Sequence, residues 1–250
     1  MNPMIKRLLF VFAHPDDESF ACAGTMEKYR EAGHEVYLIC ATSGCGGKTG
    51  EYLVSCKQEL AALREQELSQ ACEVLGVSRL YLLRYADGSL ANQDLNEMAL
   101  KIESLILQLN PHVIVTFPPN GVTGHRDHIA ISQATQQAVL QSEEKQMSSE
   151  FCSLYFTSIP HYYDYCADSA PTDAIPITGK VNIAHQRKIK GQALQAHRSQ
   201  IYSVNRAYPG VMQGDYGVIG QYEYYTKVRA DGKCCDIQES LDGIPIIELC

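Results

Sequence analysis

The sequence predicts an α/β protein: a three-layer sandwich with a mostly parallel sheet and helices on both faces. Three observations carry this. Over the first 157 residues, short apolar runs of strand length alternate with longer stretches of helical periodicity. The short runs are apolar almost throughout, as strands covered on both faces are. Gly33, Gly76 and Pro111 stand where the helical patterns stop.

The first strand is expected at 6–13 (KRLLFVFA) and the first helix at 19–32. A second strand at 35–42 (EVYLICAT) leads through a glycine-rich loop to a helix at 56–75, whose apolar face is Leu60, Leu63, Leu68, Cys72 and Leu75. A strand at 79–83 (RLYLL), a helix at 92–109, a strand at 112–117 (HVIVTF), a helix at 127–141 and a strand at 152–157 (CSLYFT) complete the alternation. Residues 158–183 are rich in Pro, Tyr, Asp and Thr and read as a lid or lobe. A helix is expected at 185–199, followed by a Tyr-rich tail with many glycines over 200–250. The expected organisation is one domain over 1–250, with a core at 1–157 and the lid, late helix and tail at 158–250.

Composition narrows the function. The 250 residues are 45% hydrophobic, enough for a substantial core, and carry a net charge of -8 with the acids scattered. Without a basic stripe, a nucleic-acid partner is not expected. No apolar run reaches membrane-spanning length. The N-terminal apolar stretch is short and runs straight into acids, so it reads as a strand of a cytoplasmic protein rather than a signal peptide. The ten cysteines form no Cys-x-x-Cys and read as free thiols, with Cys22, Cys40 and Cys72 as small core residues.

The chemistry concentrates at two strand ends. "FAHPDDESF" places His14, Asp16, Asp17 and Glu18 immediately after the first strand. "GVTGHRDHIAIS" places His125, Asp127 and His128 after the fourth. In an open parallel sheet both ends face the crevice where ligands bind. The simplest reading of the acids is helix capping, and of His125 or His128 a histidine satisfied at the next helix. Capping accounts for one or two acids and leaves His14 unexplained. Adjacent like charges are costly unless a cation lies beside them. His14, Asp17 and His128 supply two imidazoles and one carboxylate, the donor set of an open catalytic zinc site, and Asp16 stands near enough to take a proton from water there. The same donors accept Fe2+, cobalt or manganese.

These motifs resemble those of the PIG-L (LmbE-like) family of metal-dependent deacetylases. "AHPDDE" and "GHRDH" carry the likeness. It extends through "LREQELSQACEVLGVSRLYLLRYADGSL" and "KIKGQALQAHRSQI", over roughly residues 5–202. The resemblance implies a Rossmann-like fold with His14, Asp17 and His128 as metal ligands and Asp16 as general base. It further implies His125 as general acid or oxyanion stabiliser, oriented by Asp127, and Arg64, Asp87 and His197 as substrate-side residues. Arg126 stands where the family often has Pro.

The expected function is therefore removal of an acetyl group from an N-acetylglucosamine-type amino sugar or its conjugate, a small-molecule reaction with Zn2+ as cofactor. A homo-oligomer follows only by family analogy. An amidase on a sugar-thiol conjugate or other N-acyl metabolite is the second reading. A non-catalytic binding module is the third, disfavoured because no Gly-x-Gly-x-x-Gly follows the first strand. "SGCGGKTGE" resembles a phosphate loop, but Thr42 stands where its first glycine is needed. It is left as a substrate-side wall or a plain connection.

Overall fold

The computed structural model describes residues 4–145, 151–158, 175–238 and 243–250. Its centre is β1 (Arg7–Phe12), in which Leu8 to Phe12 are all 0% exposed. Such a strand needs cover on both faces and neighbours on both edges. It pairs in parallel with β2 (Glu35–Thr42) on one side and β4 (Val113–Thr116) on the other. β3 (Arg79–Tyr85) extends the sheet beyond β2, and β5 (Ser153–Ser158) beyond β4, again in parallel.

The tail completes the same sheet. β7 (Tyr222–Ala230) runs antiparallel to β5, and β6 (Gly179–Asn182) and β8 (Lys233–Cys234) pair antiparallel with β7. The order is β3-β2-β1-β4-β5-β7-β6, with β8 paired to β7. The tail's composition did not reveal these strands, and the boundary drawn at 157/158 falls inside one sheet. Most of the expected lid, residues 159–174, lies outside the described residues.

The helices are α1 (Asp17–Ala21), α2 (Ala23–Glu31), α3 (Lys57–Leu75), α4 (Leu95–Leu109), the short α5 (Gly121–Gly124), α6 (Arg126–Lys145), α7 (Arg187–Ala196) and α8 (Ile201–Ala207). α2 and α3 pack on α7, and α4 packs on α6. The single helix expected at 19–32 is two, broken at Cys22 (φ -135°, ψ 3°). Glu223 of β7 explains the restart: its carboxylate accepts the N–H groups of Gly24 and Thr25 at 3.0 and 2.7 Å. A distant side chain thus caps the helix. α4 starts at 95 rather than 92 because Asp94 accepts from Asn96 and Glu97. Among the described residues, no helix is long and apolar enough to cross a membrane.

The strand order places the site. The chain leaves β1 toward β2 and β3, then returns across β1 to form β4. The connections diverge between β1 and β4, the switch point at which open sheets form a ligand crevice. The segments carrying His14 and His128 leave from these adjacent strands.

Candidate metal centre and active site

The loop after β1 folds Asp17 back on itself, where Oδ2 accepts the N–H groups of Ala13 and His14 at 3.2 and 2.8 Å. Opposite, His128 stacks on the buried ring of Phe117, with centroids 4.0 Å apart and planes at 9°. His128 Nδ1 donates to the Gly121 carbonyl at 3.1 Å, which leaves Nε2 with its lone pair. A side chain at Gly121 (φ +66°) would press on His128 Cβ at 3.0 Å, so this close approach requires glycine.

His14 is fixed from behind. Its Nε2 lies 3.3 Å from Asp127 Oδ2 and 3.2 Å from Asp87 Oδ1, which makes Nε2 the donor and leaves Nδ1 with its lone pair. That Nδ1 faces His128 Nε2 at 3.2 Å. Two lone pairs at this distance repel unless a proton or cation stands with them. Asp17 offers Oδ2 to His14 Nδ1 at 3.5 Å and Oδ1 to His128 Nε2 at 3.4 Å. Around a tetrahedral ion with bonds of about 2.0–2.1 Å, donor atoms stand about 3.3–3.4 Å apart. The three side chains therefore fit a divalent metal in both donor chemistry and spacing. Without one, a proton does the same work. Burial alone would lower the His14 pKa, yet bonds to Asp127, Asp17 and Asp87 hold it well above the imidazole value. Burial would raise Asp17, but His128 and then His14 hold it low.

Asp16 has a left-handed backbone, φ 110°, which is costly for a residue with a side chain. Its carboxylate makes no capping bond to α1. Instead Oδ2 accepts from Arg64 Nη2 at 3.2 Å. Burial pushes its pKa up to about 6, with Arg64 opposing and Asp17 adding to the rise. His125 is exposed, with its ring centroid 4.9 Å from that of His14 and 4.8 Å from that of His128. Its Nδ1 accepts the backbone N–H of Asp127 at 3.2 Å. Partial desolvation of the ring, then the charges of His128 and His14, lower its pKa.

The profile described as "PIG-L: GlcNAc-PI de-N-acetylase" matches residues 9–139, just over half the chain. The chain belongs to the PIG-L family. A probable N-acetyl-alpha-D-glucosaminyl L-malate deacetylase 2 of Bacillus cereus is 37% identical over 138 residues, covering 54% of this chain and 62% of that protein. The chain thus spans less than two thirds of that relative. A 1D-myo-inositol 2-acetamido-2-deoxy-alpha-D-glucopyranoside deacetylase of Mycobacteroides abscessus is 32% identical over 234 residues, covering 78% of this chain and 82% of that protein. Among solved structures, the 4-carboxy-2-hydroxymuconate hydratase GalB of Pseudomonas putida KT2440 matches with a TM-score of 0.67 at 18% identity, covering 95% of this chain and 100% of its own. That likeness speaks for the fold alone.

In this PIG-L chain several of the residues expected at the substrate side or beside His125 have protein partners. Asp127, 0% exposed, does not turn its carboxylate to His125. It accepts Gly88 N at 2.7 Å and Leu90 N at 3.0 Å and faces His14. Asp87 likewise faces His14, and its Oδ2 accepts Gly46 N at 2.7 Å. Arg64 is 3% exposed and donates to the carbonyls of Gly44 and Pro15 as well as to Asp16. A Cβ at Gly44 (φ +66°) would sit 2.2 Å from Arg64 Nη1, so this glycine of the apparent phosphate loop makes room for the guanidinium. His197 is 0% exposed and bonds Glu18. Spacing alone does not reveal these protein partners. Phe117 and Glu18 were missed as supports, although Phe117 directly follows β4 and Glu18 lies in the opening motif.

The Asp87–His14 contact has a pH consequence for the metal-free protein. Burial would raise the Asp87 pKa, but the bond and charge of His14, then the Gly46 N–H, lower it from 3.8 to about 2. A carboxyl depressed on folding stabilises above its unfolded pKa and loses that contribution as pH falls through its folded pKa. Between pH 3.8 and about 2, the metal-free wild type should lose melting temperature more steeply than Asp87→Asn. Parallel slopes would dismiss the contact as a stabilising one.

Proposed function

We propose that the chain is a metal-dependent N-deacetylase that hydrolyses the acetyl amide of a small N-acetylglucosamine-type conjugate to acetate and free amine. The observation that carries this is the pair of imidazole nitrogens, His14 Nδ1 and His128 Nε2, 3.2 Å apart beside Asp17. The names of the curated relatives support the substrate class. His14 Nδ1, His128 Nε2 and Asp17 would hold the metal. Zn2+ suits these donors, and Fe2+ or another divalent ion also fits. When bound, such an ion supplies Lewis acidity, lowering the pKa of water toward neutrality and polarising an amide carbonyl.

The chain's own residues do the rest. Asp16, its pKa pushed up to about 6 by burial, is mostly ionised at neutral pH yet basic enough to take a proton from the attacking water. His125 accepts at Nδ1, so its neutral form carries hydrogen on Nε2 and can donate to the oxygen that gains charge. Its lowered pKa favours that neutral form, so the proton for the departing amine is assigned to Asp16, which has just gained one. Asp127 and Asp87 fix the His14 tautomer from behind, as carboxylates do for metal-ligating histidines.

Elemental analysis and an acetate-release assay test this together. Wild type should bind about one metal per chain, and His14→Ala and His128→Ala should bind none. Acetate should appear from N-acetylglucosamine conjugates that carry a small hydroxy acid or polyol. Failure to take up zinc or Fe2+ would overturn the metal reading. Metal binding with release only of larger acyl products would move the assignment to an amidase on another N-acyl metabolite.

A further inference from the structure

His197 ends α7 and makes its hydrogen bond to Glu18, not to a metal-site residue. Its Nε2 stands 2.7 Å from Glu18 Oε1, to which Ser19 Oγ also donates at 2.6 Å. The other oxygen of Glu18 accepts the backbone N–H of Asp16 at 3.1 Å. Ser199 and Gln200, just beyond it, reach neighbouring elements. Ser199 donates through N and Oγ to Glu67 of α3 at 2.7 and 2.6 Å, and Gln200 Nε2 donates to the Lys48 carbonyl at 2.8 Å. One short segment thus fastens the opening motif, the helix that bears Arg64 and the glycine-rich loop.

Asp16 needs such fastening. Its φ of 110° is not a conformation the residue holds by itself, so its surroundings must impose it. Arg64 fixes the carboxylate end. Glu18 fixes the backbone end, but a glutamate aims one oxygen reliably only if the other is anchored, because its side chain has several free torsions. His197 provides that anchor, and both Glu18 (1% exposed) and His197 (0%) are shielded from competing water.

We infer that His197 is a positioning residue for Asp16, acting through Glu18 to hold the strained backbone that aims the carboxylate at the site. The naming of Asp16 as the base rests on the deacetylase reading, while the chain of hydrogen bonds does not. A histidine that merely fills the core would be replaceable by any side chain of similar volume. A positioning histidine needs a donor at Nε2. His197→Gln keeps a donor that reaches Glu18; His197→Leu keeps bulk without a donor.

The experiment compares the two zinc-loaded variants with wild type. Both should bind metal as wild type does. His197→Leu should lower kcat by about 10- to 100-fold with KM unchanged, and His197→Gln should recover most of the loss. In zinc-loaded protein, amide exchange of Asp16 should quicken in His197→Leu and slow again in His197→Gln. Wild-type kcat in His197→Leu, or equal losses in both variants with the Asp16 amide unchanged, would overturn the inference. If His197→Leu does not fold, His197→Asn replaces it, since its shorter amide cannot reach Glu18. If wild type releases no acetate from any conjugate, the deacetylase reading fails, and the amide exchange alone decides the positioning role.

Discussion

Asp16→Asn is expected to bind metal as wild type does and to release acetate about 10²–10⁴-fold more slowly. The two outcomes separate because the proposed mechanism gives the two acids of the opening motif separate tasks. Asp17 faces both imidazole nitrogens and is held low in pKa by their charges. Asp16 faces Arg64 and is pushed up to about 6 by burial. Neighbouring groups with divergent pKa values commonly mark separate ligand and acid–base duties. Asparagine keeps the shape and can still accept from Arg64, but it cannot take a proton from water. The loss corresponds to about 2.7–5.4 kcal/mol of barrier. Elemental analysis beside steady-state kinetics reads both halves. Unaltered turnover would remove Asp16 as the base, and loss of metal would show that it belongs to the ligand set.

The fold shows what the sequence carried and what it could not. Strand-helix alternation gave the parallel half of the sheet because strands buried on both faces are apolar throughout. That half alone brings the His14 and His128 segments together, so the candidate ligands were legible at once. β7 was not. Its residues, YEYYTKVRA, include β formers but mix buried and half-exposed positions and carry charges, so they lack the continuous apolar run that marks the central strands. The protein partners of the expected site residues were hidden for a related reason. Asp127, Asp87, Arg64 and His197 are polar residues near a site in sequence, and such residues are as readily supports as contacts. Their protein partners are set by the fold and lie up to 179 positions away, as His197 does from Glu18.

Glu223→Leu is expected to destabilise the fold by about 3–5 kcal/mol, and Lys190→Met by less. The two residues form a buried pair, Nζ to Oε1 at 2.6 Å, with side chains each 3% exposed. Burial alone would lower the Lys190 pKa, but Glu223 holds it above its ordinary 10.5, so Lys190 keeps its charge throughout the neutral range. The asymmetry comes from what each deletion strands. Without Lys190, the Glu223 carboxylate still accepts Gly24 N and Thr25 N at the start of α2, where the helix dipole favours a negative charge. Without Glu223, Lys190 keeps the Phe20 carbonyl at 2.8 Å and the face of Tyr208, with no counter-charge among its hydrogen-bond partners, and two helix N–H groups lose their acceptor. Urea unfolding of the two variants reads the difference. A Glu223→Leu protein no less stable than Lys190→Met would mean that the cap on α2, and with it the break at Cys22 that sets α1 apart from α2, is held by something other than this carboxylate.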